Sequence, residues 1–176
     1  ISARFPYLVI KPLRGNLDTR LRKLDDGEYA AIILAAAGLK RLGLPQRIKA
    51  FLEAEESLPA AGQGAMAIEI RSDRAELMQI LAPLNHLETA QAVHAERTVS
   101  LAFGGSCQIP LAAFAQQDQG QMRLRAMVAT PDGQRFARAE VQGEASAGKE
   151  LGMQVVEALR AQDADGILAQ CKEQVA

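Results

Sequence analysis

The sequence predicts a mixed α/β protein in which a parallel-type βαβ unit comes first and a small α+β domain, a three-stranded sheet with helices, comes last. Three observations carry this expectation. Two apolar runs without polar alternation, YLVIKPL at 7–13 and AAIILAAA at 30–37, have the composition of strands covered on both faces. Between them, Asn16 is placed to cap a helix with Leu17, Leu21 and Leu24 on one face, and Gly27 is placed to stop it. Toward the other end, IPLAAFAQ at 109–116 and MRLRAMVATPDGQRFARAEVQG at 122–143 read as three strands, with PDG turning the last two into a hairpin.

The remaining elements follow in order. GLKRLGL at 38–44 predicts a short helix ended by Pro45, and RIKAFL at 47–52 another turn or two. At 56–70 the character changes: Pro59, Gly62 and Gly64 punctuate the chain before a strand, AMAIEI, which leads into a helix near RAELMQILAPL. Asn85 and Glu88 have the spacing of a capping box that opens a helix running to about residue 101. Two helices close the chain, one with an apolar stripe of Leu151, Val155 and Leu159, the other with Ile167, Leu168, Cys171 and Val175.

With 20 basic and 21 acidic residues the net charge is −1, which excludes a general nucleic-acid or anionic-membrane surface and leaves anion binding to locally clustered arginines. The two cysteines, Cys107 and Cys171, are too few for a disulfide framework and suit a reducing compartment. No apolar run approaches ~20 residues and the first residues lack signal-peptide order, so a soluble, cytoplasmic protein is expected. The chain begins with Ile1 and runs almost at once into a strand, which predicts a fragment or a processed chain.

Two stretches carry candidate chemistry. In LRGNLDTR at 13–20, a strand is expected to end and a helix to begin, where free N–H groups and the helix dipole favour an anion. Arg14 on the loop and Arg20 one turn into the helix are suited to bidentate carboxylate binding, although surface pairing with Asp18 or Asp25 accounts for them equally well. Arg41, after the next strand, belongs on the same rim or is a solvated helix residue. In GGSCQIP at 104–110, Gly104 and Gly105 clear space around Cys107 and make it a candidate nucleophile; its alternative is a small buried hydrophobe. Cys171 reads as core, His86 and His94 lack metal-site spacing, and GQG at 62–64 reads as a turn unless the fold brings it to a cleft.

LRGNLDTRLRKLDDGEYAAIILAAAGLKRLGL, SLPAAGQGAMAIE, LNHLETAQAVHAER and GGSCQIPLAAFA occur in this order and with similar spacing in the porphobilinogen deaminases, and the chain resembles that family along essentially its whole length. The resemblance implies a transferase, hydroxymethylbilane synthase, of tetrapyrrole (haem) biosynthesis. Such enzymes condense four porphobilinogen molecules, each losing ammonia, onto a cysteine-linked dipyrromethane primer and release hydroxymethylbilane. Cys107 matches the cysteine that carries the dipyrromethane through a thioether. Arg14, Arg20 and Arg41 match positions lining the cleft for the carboxylates of the growing polypyrrole; Thr19 and Lys40 enter as sequence neighbours of those arginines, and Gln63 as part of the GQG turn.

The family has three domains. The resemblance implies that 1–60 is part of the second, an incomplete unit like that of periplasmic binding proteins, that 61–84 passes back through the first, and that 85–176 is the C-terminal cofactor-carrying domain. The family's catalytic aspartate falls in an N-terminal stretch outside this sequence, so no catalytic residue and no metal ligand is assigned here. The implied partners are porphobilinogen and the anionic polypyrrole, with no nucleic acid and no membrane, in a monomer, alone or associated with a separate N-terminal segment. Two other readings remain: a non-catalytic anion-binding α/β module, which needs the arginines but not Cys107, and an inactive fragment.

Overall fold

Apolar periodicity alone does not say which faces meet; the computed structural model, which describes residues 1–106 and 109–173 with side chains through Cys171, supplies that. The chain divides into two compact units, Ile1–Glu53 and the remainder from Ala54.

In the first unit, helix α1 (Leu17–Asp25) begins where expected: the Asn16 side chain accepts the Thr19 N–H at 2.9 Å, and Asp18 in the first turn and Arg22 and Lys23 in the last complement the dipole. Leu21 is its buried residue. The helix stops at Gly27 (φ +78°), where Gly27 N–H bonds to Leu24 C=O and Glu28 N–H to Lys23 C=O, the double bond of a Schellman end. Helix α2 (Ala36–Arg41) ends the same way at Gly43, so glycine and not Pro45 terminates it; Pro45 instead opens a 3-10 turn, Pro45–Arg47, and no further helix forms over 48–52.

The strands expected at 7–13 and 30–37 are not paired. Tyr7, Val9, Ile10 and Ile33 lie 59–81% exposed, and the end of the second run coils into α2. A strand exists only through a neighbour's N–H and C=O groups, and among the described residues nothing forms a ladder with either run. The expected strand at 65–70 fares likewise, with Met66 75% and Ile68 56% exposed.

The second unit contains helix α3 (Ala75–Leu81), with no buried residue, and then a packed α+β body: helix α4 (Leu87–Ala102), strands β1 (Leu111–Asp118), β2 (Gln121–Ala129) and β3 (Phe136–Glu144), and helices α5 (Gly148–Arg160) and α6 (Ala164–Glu173). The strands form an antiparallel meander in the order β1-β2-β3. Gln119 and Gly120, both at positive φ between the paired Asp118 and Gln121, make the tight primed turn that joins the first hairpin. Met122, Leu124, Ala126 and Val128 turn one face of β2 onto Val99, Leu151, Val155, Val156, Leu159 and Ile167 of the helices. The stripes read on α5 and α6 are thus buried, Val175 lying outside the described residues. Helix α4 starts one residue later than the expected box: Asn85 closes the preceding 3-10 turn with its N–H, and His86 caps α4 by accepting the Thr89 N–H through Nδ1 at 3.3 Å.

Helices α4 and α5 approach closely because Gly148 and Gly152 face Ala95 and Thr98. A Cβ at Gly152 would come within 2.7 Å of Thr98 Cβ and 3.1 Å of Ala95 C=O, so Gly152→Ala should destabilise the second unit by about 1–3 kcal/mol, read from denaturant midpoints. No described helix is long and apolar enough to cross a membrane. In hydrogen exchange of the isolated chain, amides 65–70 should exchange rapidly while those of β2, bonded on both sides, stay protected; strong protection across 65–70 would contradict this.

Candidate functional site

The candidate residues fall in both units. In the first, Gly15 at φ +118° lets the backbone turn from the loop into α1, and the Thr19 side chain lies against it: a Cβ there would meet Thr19 Cγ2 at 2.9 Å. Arg20 Nε donates to Gly15 C=O at 2.8 Å, which anchors one edge of its half-buried guanidinium to the same loop. Arg14 is exposed and makes no ion pair among the described residues. Among the described residues neither arginine pairs with Asp18 or Asp25, and Asp25 pairs with Arg47 at 2.5 Å. Lys40 and Arg41 close α2, with Lys40 Nζ 5.0 Å from the centre of the Phe51 ring.

In the second unit, Gln63 sits exposed in a turn closed by its N–H on Ala60 C=O at 3.0 Å, between Gly62 (φ +71°) and Gly64 (φ +84°). This turn is docked. Ala113 N–H donates to Pro59 C=O at 3.2 Å, and the Glu96 carboxylate accepts Gly62 N–H at 2.6 Å and Ala115 N–H at 2.8 Å. Just upstream, Glu55 pairs with the buried Arg125 at 2.5 Å, and Arg125 also donates to Gln116. A hydrogen bond from its own backbone N–H, then Arg125, hold the Glu55 carboxyl below the usual range. Glu96 is the opposite case: burial pushes its pKa up, against the two amide bonds that lower it.

Helix α4 ends at Ala102, and Gly104 (φ +105°) and Gly105 (φ +65°) turn the chain toward residue 107. Cys107 itself lies outside the described residues. Its neighbours Gly105, Ser106 and Ile109 line a cavity of about 250 Å³, together with Ala60 and Ala61 of the docked turn and Arg97, Ser100, Leu101 and Leu111. Arg97 is exposed there and has no ion pair among the described residues. Reasoning from sequence missed both Arg97 and its neighbour Glu96. HAER belongs to a stretch that carries the family resemblance but gives no role to either residue, and only the turn and sheet packed around it show that one side chain points inward and the next lines the cavity.

Two family models match in succession: porphobilinogen deaminase, dipyromethane cofactor binding domain, over residues 1–79, and porphobilinogen deaminase, C-terminal domain, over residues 90–161. The chain belongs to the porphobilinogen deaminase family. The deaminase of Paraburkholderia phytofirmans is 60% identical over 171 residues, covering 96% of this chain and 50% of that protein. Those of Bordetella parapertussis (57% over 170 residues, 97% and 54%) and Methylobacillus flagellatus (55% over 169 residues, 96% and 54%) are similar to it in the same way. The chain thus spans about half the length of the curated relatives it matches. Arg14, Thr19, Arg20, Lys40, Arg41 and Gln63 all fall in the part matched by the cofactor-binding model, and residue 107 in the part matched by the C-terminal model.

Because burial raises the Glu96 pKa above its unfolded value near 4.5, the folded state holds this proton more tightly, and stability contributed by Glu96 rises as pH falls through the window between the two values. The melting temperature of the wild type relative to Glu96→Gln should therefore shift in favour of the wild type as the pH is lowered from neutral toward the ordinary glutamate value of 4.5. A difference that does not vary with pH would contradict the assignment.

Proposed function

We propose that the chain is the C-terminal half of a porphobilinogen deaminase, hydroxymethylbilane synthase, which condenses four porphobilinogen molecules with loss of ammonia into hydroxymethylbilane. The observation that carries this is the cavity lined by Gly105, Ser106 and Ile109, with Arg97, which makes no ion pair among the described residues, on its wall. It suits a carboxylate-bearing pyrrole, because an exposed guanidinium on the cavity wall can meet an acidic side chain.

In this reading Cys107 holds the dipyrromethane through its sulfur. When bound, the dipyrromethane would supply the free α-carbon that takes the first new pyrrole, each later pyrrole adding to the ring before it. Arg14, Arg20 and Arg41, with Thr19 and Lys40, grip acetate and propionate groups at the start of α1 and the end of α2. Anchoring of Arg20 to Gly15 C=O supports this role, because a fixed guanidinium spends less entropy on each carboxylate it binds. Gln63 adds a polar contact from its docked turn. The proton-handling carboxylate lies in the half of the relatives that this chain does not span, and the unpaired runs at 7–13, 30–37 and 65–70 find their sheet partners there, completing the βαβ unit. The whole enzyme is a cytoplasmic monomer acting on porphobilinogen.

Peptide mass mapping of the full-length protein should find two linked pyrrole units on the Cys107 peptide, and Cys107→Ser should carry none and be inactive; an active enzyme with an unmodified Cys107 would overturn the reading. Arg20→Ala should raise KM for porphobilinogen roughly ten- to hundredfold, the loss expected for charge-assisted hydrogen bonds. The 176-residue chain alone should not turn porphobilinogen over.

A further inference from the structure

The three-stranded sheet has two outer edges, and each presents the N–H and C=O groups of alternate residues to whatever lies beside it. The edge of β1 is closed within the chain: Ala113 N–H donates to Pro59 C=O at 3.2 Å and Ala115 N–H to the Glu96 carboxylate at 2.8 Å. Because Ala113 turns its N–H away from β2, its partner Ala126 bonds to Ala139 instead, and the even-numbered residues of β3 face outward. At Arg138 that edge is met by a single side chain. Gln162, in the turn between α5 and α6, accepts Arg138 N–H at 3.2 Å and donates to Arg138 C=O at 2.8 Å, the two bonds a residue of a fourth strand would make. Its NH₂ also donates to Ala158 C=O at 2.9 Å, which anchors the amide to the end of α5. Glu140 and Gln142, next along the edge, are exposed and make no outward backbone bond among the described residues.

We propose that the outer edge of β3 is a self-complementary pairing surface for a second copy of this chain, and that the Gln162 side chain keeps it closed. This goes beyond the deaminase reading and does not depend on it. Two β3 strands laid antiparallel about Val141 put Arg138 opposite Glu144 and Glu140 opposite Gln142, each twice across the two-fold axis. The outward-facing residues of the two strands then meet one another, opposite charges face each other at both ends, and no like charges stand directly opposite. Neither Arg138 nor Glu144 is in an ion pair among the described residues, so both are available to such a ladder. With Gln162 on Arg138, both end pairs are lost. What stays open is Glu140 and Gln142 in the middle, a stretch too short to hold a partner strand.

The test compares full-length wild type and Gln162→Ala by sedimentation and by amide hydrogen exchange, each in dilute and in concentrated solution. The wild type should stay monomeric, with the Glu140 and Gln142 amides exchanging fast at both concentrations. Gln162→Ala should move toward twice the monomer mass as concentration rises, and its Glu140 and Gln142 amides should then slow roughly tenfold or more. Adding Glu144→Arg, which sets a second cation opposite Arg138, should return the Gln162→Ala protein to the monomer. Gln162→Asn, whose amide is one carbon short of Arg138, carries the same comparison if Gln162→Ala does not fold. A tie that merely fastens the turn to β3 would speed exchange at Arg138 without any association, and that result would overturn the proposal. So would association that leaves the Glu140 and Gln142 amides fast, association indifferent to Glu144→Arg, or a wild type whose Glu140 and Gln142 amides are already protected in dilute solution.

Discussion

The close approach of α5 to α4 is the constraint on which the second unit depends. Gly148 and Gly152 bring the helices near enough for Thr98 and Ala95 to occupy the space two side chains would otherwise fill. With α4 held there, Val99 and Phe103 reach the sheet core, Glu96 reaches Gly62 and Ala115, and the chain leaving α4 brings Gly105 to the edge of the cavity. A 16-residue helix thereby acts as the common reference for the turn, the strand and the cysteine-bearing loop. Packed interiors tolerate little change of volume, so such a reference is stiff.

Charge is distributed with the same economy. A net charge of −1 gives no long-range pull on an anionic ligand, so recognition has to be local. Arg47, Arg123, Arg125 and Arg160 are committed to Asp25, Glu140, Glu55 and Asp165, whereas Arg14 and Arg97 make no such pair among the described residues. Arg20 is held by a backbone carbonyl, which fixes its plane without neutralising it. Buried Arg125, tied to Glu55, and buried Glu96, tied to Gly62, together fasten the 55–62 stretch to the sheet domain.

Local signals were legible wherever a single residue type does the work. Asn16 and Gly27 bound α1, the Leu151, Val155 and Leu159 stripe is buried, and the three strands lie within two residues of their expected positions, because caps, helix periodicity and hairpin turns act over a few residues. Position-by-position competition explains the small differences: His86 displaces Asn85 as the cap of α4 because its ring nitrogen reaches Thr89, and Gly43 ends α2 before Pro45 can. The runs at 7–13, 30–37 and 65–70 have strand composition but remain unpaired, since a ladder is a property of two segments and composition describes one.

By itself, the sequence determined the family, the order of elements from α4 to α6 and the two ends of α1, all of which rest on residues near one another in the chain. Tertiary structure alone decided that Glu96 is buried against Gly62 and Ala115, that Arg97 faces a cavity, and that Ala60 and Ala61 form its opposite wall. The physical reason is range. Gly62 and Glu96 are 34 residues apart, and a hydrogen bond between them leaves no trace in either neighbourhood until the sheet and α4 have packed.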